Sequence, residues 1–184
     1  MSGKRWHAVI DRMPKDRTIY GAEVGVWDGR MSEQLLRELD NLILVCVDRW
    51  EPPGEDDSYY HSGSTIARSE KEAYNKAYQL YKNRTKYFSD RIIELIFDSV
   101  FASYNIEDEI LDFAFLDGDH SYEGVTRDIK AWLPKVKIGG YIGGHDYGHP
   151  EQGQVEQAVL DYFADFPGVI ELDRNRTWFY RREE

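Results

Sequence analysis

Residues 111–147 read LDFAFLDGDHSYEGVTRDIKAWLPKVKIGGYIGGHDY. Leu111–Leu116 has the length and apolar content of a strand, and it ends on Asp117-Gly118-Asp119-His120. Tyr122–Leu133 follows with helical spacing; Val125, Ile129, Trp132 and Leu133 form its apolar stripe and Pro134 stands at its end. Gly140–Gly144 is a second short strand, ending on His145-Asp146. Strand, helix and strand in so short a compass make the unit of an α/β fold with a mostly parallel sheet.

The same rhythm extends outward. Thr18–Val24 reads as the first strand. A helix at Met31–Leu39 places Met31, Leu35, Leu36 and Leu39 on one face. Leu42–Val47 is continuously apolar, as a strand covered on both sides should be. Arg91–Phe97 is a further strand. Glu151–Phe166 is a helix with Val155, Ala158, Val159, Tyr162, Phe163 and Phe166 inward. Val169–Leu172 and Thr177–Tyr180 form a closing hairpin around an Asp173–Arg176 turn. Glu51–Lys86 interrupts the pattern with an acidic, turn-rich start and a helix over Thr65–Tyr81. Long insertions beside strand ends often carry substrate contacts, so 51–86 is a candidate lid or substrate region.

The chain has 184 residues, and 23 Lys+Arg against 34 Asp+Glu give a formal charge of -11. That length suits one domain over residues 1–184. A 41% apolar and 14% aromatic content excludes a disordered chain. The acidity argues against a nucleic-acid partner, which needs a basic face. A single cysteine, Cys46, excludes an internal disulfide and a Cys-rich zinc site, and its apolar setting reads as a buried thiol. No signal-peptide core and no membrane-length apolar run is visible, so a cytoplasmic protein without membrane contact is expected.

Ligands of open α/β sheets bind outside the carboxyl ends of the strands. Here the strands end in Glu23-Val24-Gly25-Val26-Trp27-Asp28-Gly29, in Asp48, in Asp98-Ser99, in Asp117-Gly118-Asp119-His120 and in His145-Asp146. Each delivers an acid to one edge, which suits a cationic ligand carrying a ribose better than a polyphosphate. The Glu-x-Gly-x-x-x-Gly spacing is not that of a pyrophosphate loop. Taken alone, Asp28-Gly29 reads equally well as a plain turn.

On these residues, and above all on 111–147, the chain resembles class I S-adenosylmethionine-dependent methyltransferases. It is most similar to a small group whose strands end in Asp-Gly-Asp-His-x-Tyr and His-Asp. The resemblance runs from Ile19 to about Phe166. It implies a Rossmann-like, seven-stranded, mostly parallel sheet with helices on both faces and a C-terminal antiparallel strand. It further implies that Glu23, Gly25, Trp27 and Gly29 form the cofactor loop, with Glu23 and Gly25 lining the methionine end. Asp48 would hold the ribose, Asp98 and Ser99 the adenine, and Asp117 would lie beneath the sulfonium. Two positions depart from the pattern. Met31 stands where a serine is common, with Ser32 one residue later, and Ile138 replaces a proline.

Methyl transfer needs an in-line acceptor and removal of its proton. If the strands ending at Asp117 and His145 are neighbours, Asp117, Asp119, His120, His145 and Asp146 lie about 5 Å apart. Asp117, His145 and Asp146 could then share a divalent ion, Mg²⁺ or Mn²⁺. Without metal, His120 or His145 would serve as general base; each is also readable as a hydrogen-bonded loop residue. The Tyr74, Tyr78 and Tyr81 stripe reads as helix packing before it reads as an acceptor pocket or dimer face. His7 and His61 have no chemical company in the sequence. The expected activity is methylation of a small-molecule hydroxyl by a protein that could also self-associate. A non-catalytic cofactor-binding module, a nicotinamide-dependent oxidoreductase and a nucleic-acid methyltransferase remain as other readings.

Overall fold

The alternation of buried side chains along the strands sends successive residues to two different helical layers. In β4 (Leu111–Leu116), Ala114 and Leu116 face one side while Phe113 and Phe115 face the other. The first side is covered by α4 (Ser99–Ser103), α5 (Tyr122–Trp132) and α6 (Gln154–Phe163), which bring in Ala102, Ile129, Trp132, Val159 and Phe163. The second is covered by α1 (Arg5–Ile10), α2 (Arg30–Glu38) and α3 (Lys71–Thr85), through Val9, Met31, Leu35, Leu36, Ala77 and Tyr81. The computed structural model describes residues 4–54, 70–150 and 154–183.

The sheet has seven strands. The others are β1 (Ile19–Val24), β2 (Leu42–Val47), β3 (Ile92–Leu95), β5 (Val136–Gly144), β6 (Ile170–Asp173) and β7 (Thr177–Arg181), in the order β3-β2-β1-β4-β5-β7-β6. The first five run parallel, and β7 lies antiparallel between β5 and β6. The expected architecture is therefore the observed one, including the adjacency of the strands that end at Asp117 and His145.

Element boundaries differ in instructive ways. β5 begins at Val136 rather than Gly140, because the chain pairs with Leu111 before a register shift passes Gly139, at φ +81°. Glycines in that stretch weaken the strand signal without preventing the pairing. The helix expected over Thr65–Tyr81 runs over Lys71–Thr85; residues 65–69 lie outside the described residues, and a 3₁₀ segment at Lys86–Arg91 continues it. Residues 151–153 of the expected last helix also lie outside them. Among the described residues no helix is long and apolar enough to cross a membrane.

Sequence reasoning missed two short helices, α4 at Ser99–Ser103 and α1; α1 matters more to the site. It is six residues long, too short for a periodic signal, and is held by contacts distant in sequence. Ala8, Val9 and Ile10 are buried in the second layer. Arg12, just past the helix, donates to Asp173 at 2.6 Å and to Glu171 at 2.9 Å, and its guanidinium lies 4.1 Å from the Phe179 ring centre. Burial works against the Asp173 carboxylate, but Arg12 and the Arg174 backbone outweigh it and hold its pKa down at about 2. A depressed carboxylate pKa stabilises the fold above the unfolded value, and that stabilisation is lost as pH falls toward 2.

Arg12→Ala should lower unfolding free energy by about 1–2 kcal/mol, from one screened ion-pair cluster and one cation–π contact. The deficit should shrink between pH 4 and 2, where Asp173 protonates. Urea titrations across that range, with hydrogen exchange at residues 5–12, measure both effects; an unchanged midpoint at neutral pH contradicts this account of α1.

Candidate functional site

The carboxyl ends of β1 and β4, the neighbours at which strand order reverses, open onto a cleft of about 320 Å³. That lies within the range for a small-molecule or cofactor site. Gly25 makes the close approach at its floor. It sits at φ +90°, and a Cβ there would overlap the Asp117 carbonyl and come 2.6 Å from the Gly118 nitrogen. Gly29 does not line the cleft; it is needed for its positive φ of +72° and its packing on Tyr81.

Asp48 organises the wall at the β2 end. One carboxylate oxygen accepts from the backbone N–H of Trp27 at 2.9 Å and the other from that of Trp50 at 2.7 Å. The Trp50 indole then donates to the Trp27 carbonyl at 2.7 Å. Both tryptophans take left-handed backbone, at φ 52° and 44°. Burial pushes the Asp48 pKa up, against these backbone donors. Asp48 lines the cleft, and a carboxylate has acceptor sites beyond those its backbone donors use, so a ribose diol is within its chemistry. The tyrosine stripe divides its duties. Tyr81 stacks on Trp50 at 4.9 Å, while Tyr74 is edge-on to Trp27 at 5.1 Å and lines the cleft.

At the β3 end Asp98 and Ser99 line the same cleft. Asp98 caps α4 by accepting from Val100 N–H, and the Ser99 hydroxyl oxygen accepts from the Trp132 indole at 2.9 Å. Asp128, which sequence reasoning missed, lines the cleft beside them. It is 2% exposed, its Oδ1 has no partner, and burial pushes its pKa up to about 7 against a hydrogen bond with Ser99. The signal was present: Asp128 falls on the buried stripe of Val125, Ile129 and Trp132, where a lone acid calls for an explanation.

Glu23 was expected to line the cleft and does not. It is fully buried behind the Gly25 loop, accepting from the Ser32 hydroxyl at 2.6 Å, with its other oxygen unpartnered. Burial pushes its pKa up to about 8, against Ser32 and Arg5. Ser32 is thus occupied by Glu23. Cys46 lies beside it, fully buried, as expected.

Asp117, His120, His145 and Asp146 converge at the β4 and β5 ends. His145 Nδ1 is 2.9 Å from Asp146 and 3.6 Å from Asp117. His120 stands between the same two carboxylates, with Nε2 3.7 Å from Asp117 and Nδ1 3.6 Å from Asp146. These are ion-pair distances, and neither ring nitrogen of the half-buried His120, nor Nδ1 of His145, makes a well-aligned hydrogen bond. Burial works to lower the His120 pKa, but Asp117, Asp146 and Asp119 carry the net shift upward. Burial works to raise that of Asp146, and His145 and His120 carry it down. Asp146 takes a left-handed φ of 60°. The carboxylate and imidazole atoms of Asp117, His120 and Asp146 all lie within 4.8 Å of one another. Among the described residues that trio offers the compact donor set, with His120 where sequence reasoning placed His145. Asp119 lines the cleft but also closes a turn by accepting from Ser121 N–H at 2.9 Å.

One basic residue enters from outside the strand ends. Arg5 of α1 reaches into the cleft and pairs with Asp117 at 2.6 Å. No local motif marks Arg5, because the contact spans more than a hundred residues.

Comparison with known proteins places this geometry. A family model described as a methyltransferase domain matches residues 22–147. No curated protein matches in sequence. Among solved structures, the O-methyltransferase NovP is 20% identical over 96% of this chain and 75% of its own, with a TM-score of 0.60. The calicheamicin methyltransferase CalS11 is 13% identical over 96% and 76%, with a TM-score of 0.68. An rRNA methylase from Streptococcus thermophilus is 11% identical over 100% and 99%, with a TM-score of 0.64. At these identities the likeness is one of fold.

Glu23 makes the site's electrostatics measurable. Its folded pKa of about 8 lies above the ordinary 4.5, so the stability it allows is fully present below pH 4.5 and declines as pH rises through 8. The slope is at most about 1.4 kcal/mol per pH unit for one proton. Glu23→Gln, which keeps the shape and the Ser32 contact, should flatten thermal stability between pH 5 and 9. An equal slope in both proteins would show that Glu23 is charged.

Proposed function

The chain belongs to the methyltransferase-domain family, whose cofactor is S-adenosylmethionine, and from that premise we propose that it methylates a hydroxyl oxygen of a small molecule. One observation carries the reading. A single cleft at the sheet's switch point presents Asp48 at the β2 end, Asp98 at the β3 end, and Asp117 with His120, His145 and Asp146 at the β4 and β5 ends. Adenosine would lie toward β2 and β3, with the sulfonium over Asp117. A cleft this acidic suits neither a phosphodiester backbone nor an anionic lipid surface. Residues 1–184 are read as one such domain, with Glu51 and Tyr74 of the 51–86 stretch at the cleft.

The chemistry asked of the protein is modest. The acceptor oxygen attacks the methyl carbon in line as the carbon–sulfur bond breaks, and the hydroxyl proton must leave. His145, paired electrostatically with Asp146 at 2.9 Å and lining the cleft, is the group we assign to receive it. The unpartnered nitrogens of His120, between two carboxylates, fit a divalent cation held by Asp117, His120 and Asp146. Bound there, Mg²⁺ or Mn²⁺ would acidify the acceptor hydroxyl.

S-adenosylhomocysteine at 100 times its Kd should stabilise the protein by about 2.7 kcal/mol, read as a raised Tm. Asp48→Ala should cut that gain. No shift at millimolar ligand overturns the reading. Methyl transfer to a hydroxyl panel should fall at least tenfold in His145→Ala. Full activity in excess chelator would assign proton removal to His145 without a cation.

A further inference from the structure

Resting on the proposed cofactor, we infer that Arg5 receives the carboxylate of its amino-acid end. S-adenosylmethionine carries two positive groups, the sulfonium and the ammonium, and one negative carboxylate. A cleft walled by Asp28, Asp48, Asp98, Asp117 and Asp146 attracts the first two and repels the third. The carboxylate therefore requires a cation, and the cleft is lined by three: Arg5, Arg49 and Arg127.

Position separates them. If the ribose lies on Asp48, the amino-acid chain must run away from β2, toward the paired ends of β1 and β4. Arg49 adjoins Asp48 in sequence and belongs to the ribose side. Arg127, on α5, faces Asp119 at 4.0 Å. Arg5 stands at the β1–β4 end, 2.6 Å from Asp117 and within the fields of Glu23, Asp146 and Asp28. The one hydroxyl in the first turn of α2, Ser32, is committed to Glu23.

Arg5 is also built for the task. Its side chain is 29% exposed, so the head is reachable from the cleft. The Asp117 contact uses Nη1, and a guanidinium offers five donors in a planar fork that matches a carboxylate. Its backbone is set by α1, whose next turn is buried and which Arg12 ties to Glu171 and Asp173. Asp117 thus holds the arginine in place, and the cofactor's carboxylate completes the fork.

The test compares two ligands by calorimetry: S-adenosylhomocysteine and its decarboxylated analogue, 5′-deoxy-5′-(3-aminopropylthio)adenosine. Arg5→Gln should weaken S-adenosylhomocysteine by about tenfold or more, the scale of one charge-assisted contact. It should leave the analogue unchanged or tighter, because removing a cation favours an ammonium. Arg5→Lys, which keeps the charge without the fork and guards against misfolding of the glutamine variant, should lose less than Arg5→Gln and only for the carboxylate ligand. Equal losses for both ligands, or no loss for either, overturn the assignment. Wild-type protein that binds neither ligand overturns the functional reading itself, a result distinct from any seen only in the variants.

Discussion

Gly25 meets the backbone of Asp117 and Gly118 with no side chain between them, and the cleft follows from that contact. β1 and β4 stay hydrogen-bonded to their ends, with Asp117 N–H on Val24 O at 2.8 Å, while on the other side of β1 the Gly25 N–H bonds the Val47 carbonyl of β2 at 2.9 Å. Past this point the two chains part. The β1 chain turns into α2 on one face of the sheet and the β4 chain into α5 on the other. The space left between two departing connections is what an open parallel sheet offers a ligand. A methyl group at Gly25 would force the strand ends apart.

Much of this was legible because it depends on period and spacing. Leu42–Val47 declared a doubly covered strand, and Asp48, Asp98 and Asp117 fell at strand ends because strands point their carboxyl ends one way. What the sequence withheld was depth and long-range company. Nothing local tells that Glu23 lies behind the wall while Asp48 lies on it, since both follow apolar strand residues. Nothing local joins Arg5 to Asp117. His120 and His145 are equivalent as letters; three-dimensional register decides that His120 stands between two carboxylates. Asp128 is the instructive miss, an acid on an apolar helical stripe that was passed over because the stripe was counted by its apolar members.

The chain's acidity also changes meaning once placed. Burial drives Glu23 to about 8 and Asp128 to about 7, so both favour the uncharged form far more than an ordinary carboxyl does. Arg5 sits among the acids that line the cleft and pairs with Asp117 there. The formal charge of -11 therefore overstates the repulsion at the centre of the molecule. A network at the far end of α1, from Arg12 to Glu171 and Asp173, connects the last hairpin to the placement of that arginine.

Trp27, Trp50 and Asp146, none of them glycine, hold left-handed backbone around one opening. Such conformations cost on the order of 1 kcal/mol or more each and persist where surrounding contacts over-determine them. Here the Asp48 clamp and the Trp50–Trp27 bond do so for the two tryptophans. The strain of shaping the rim is therefore borne by contacts within the chain itself, and Asp48 is the residue whose loss would release it.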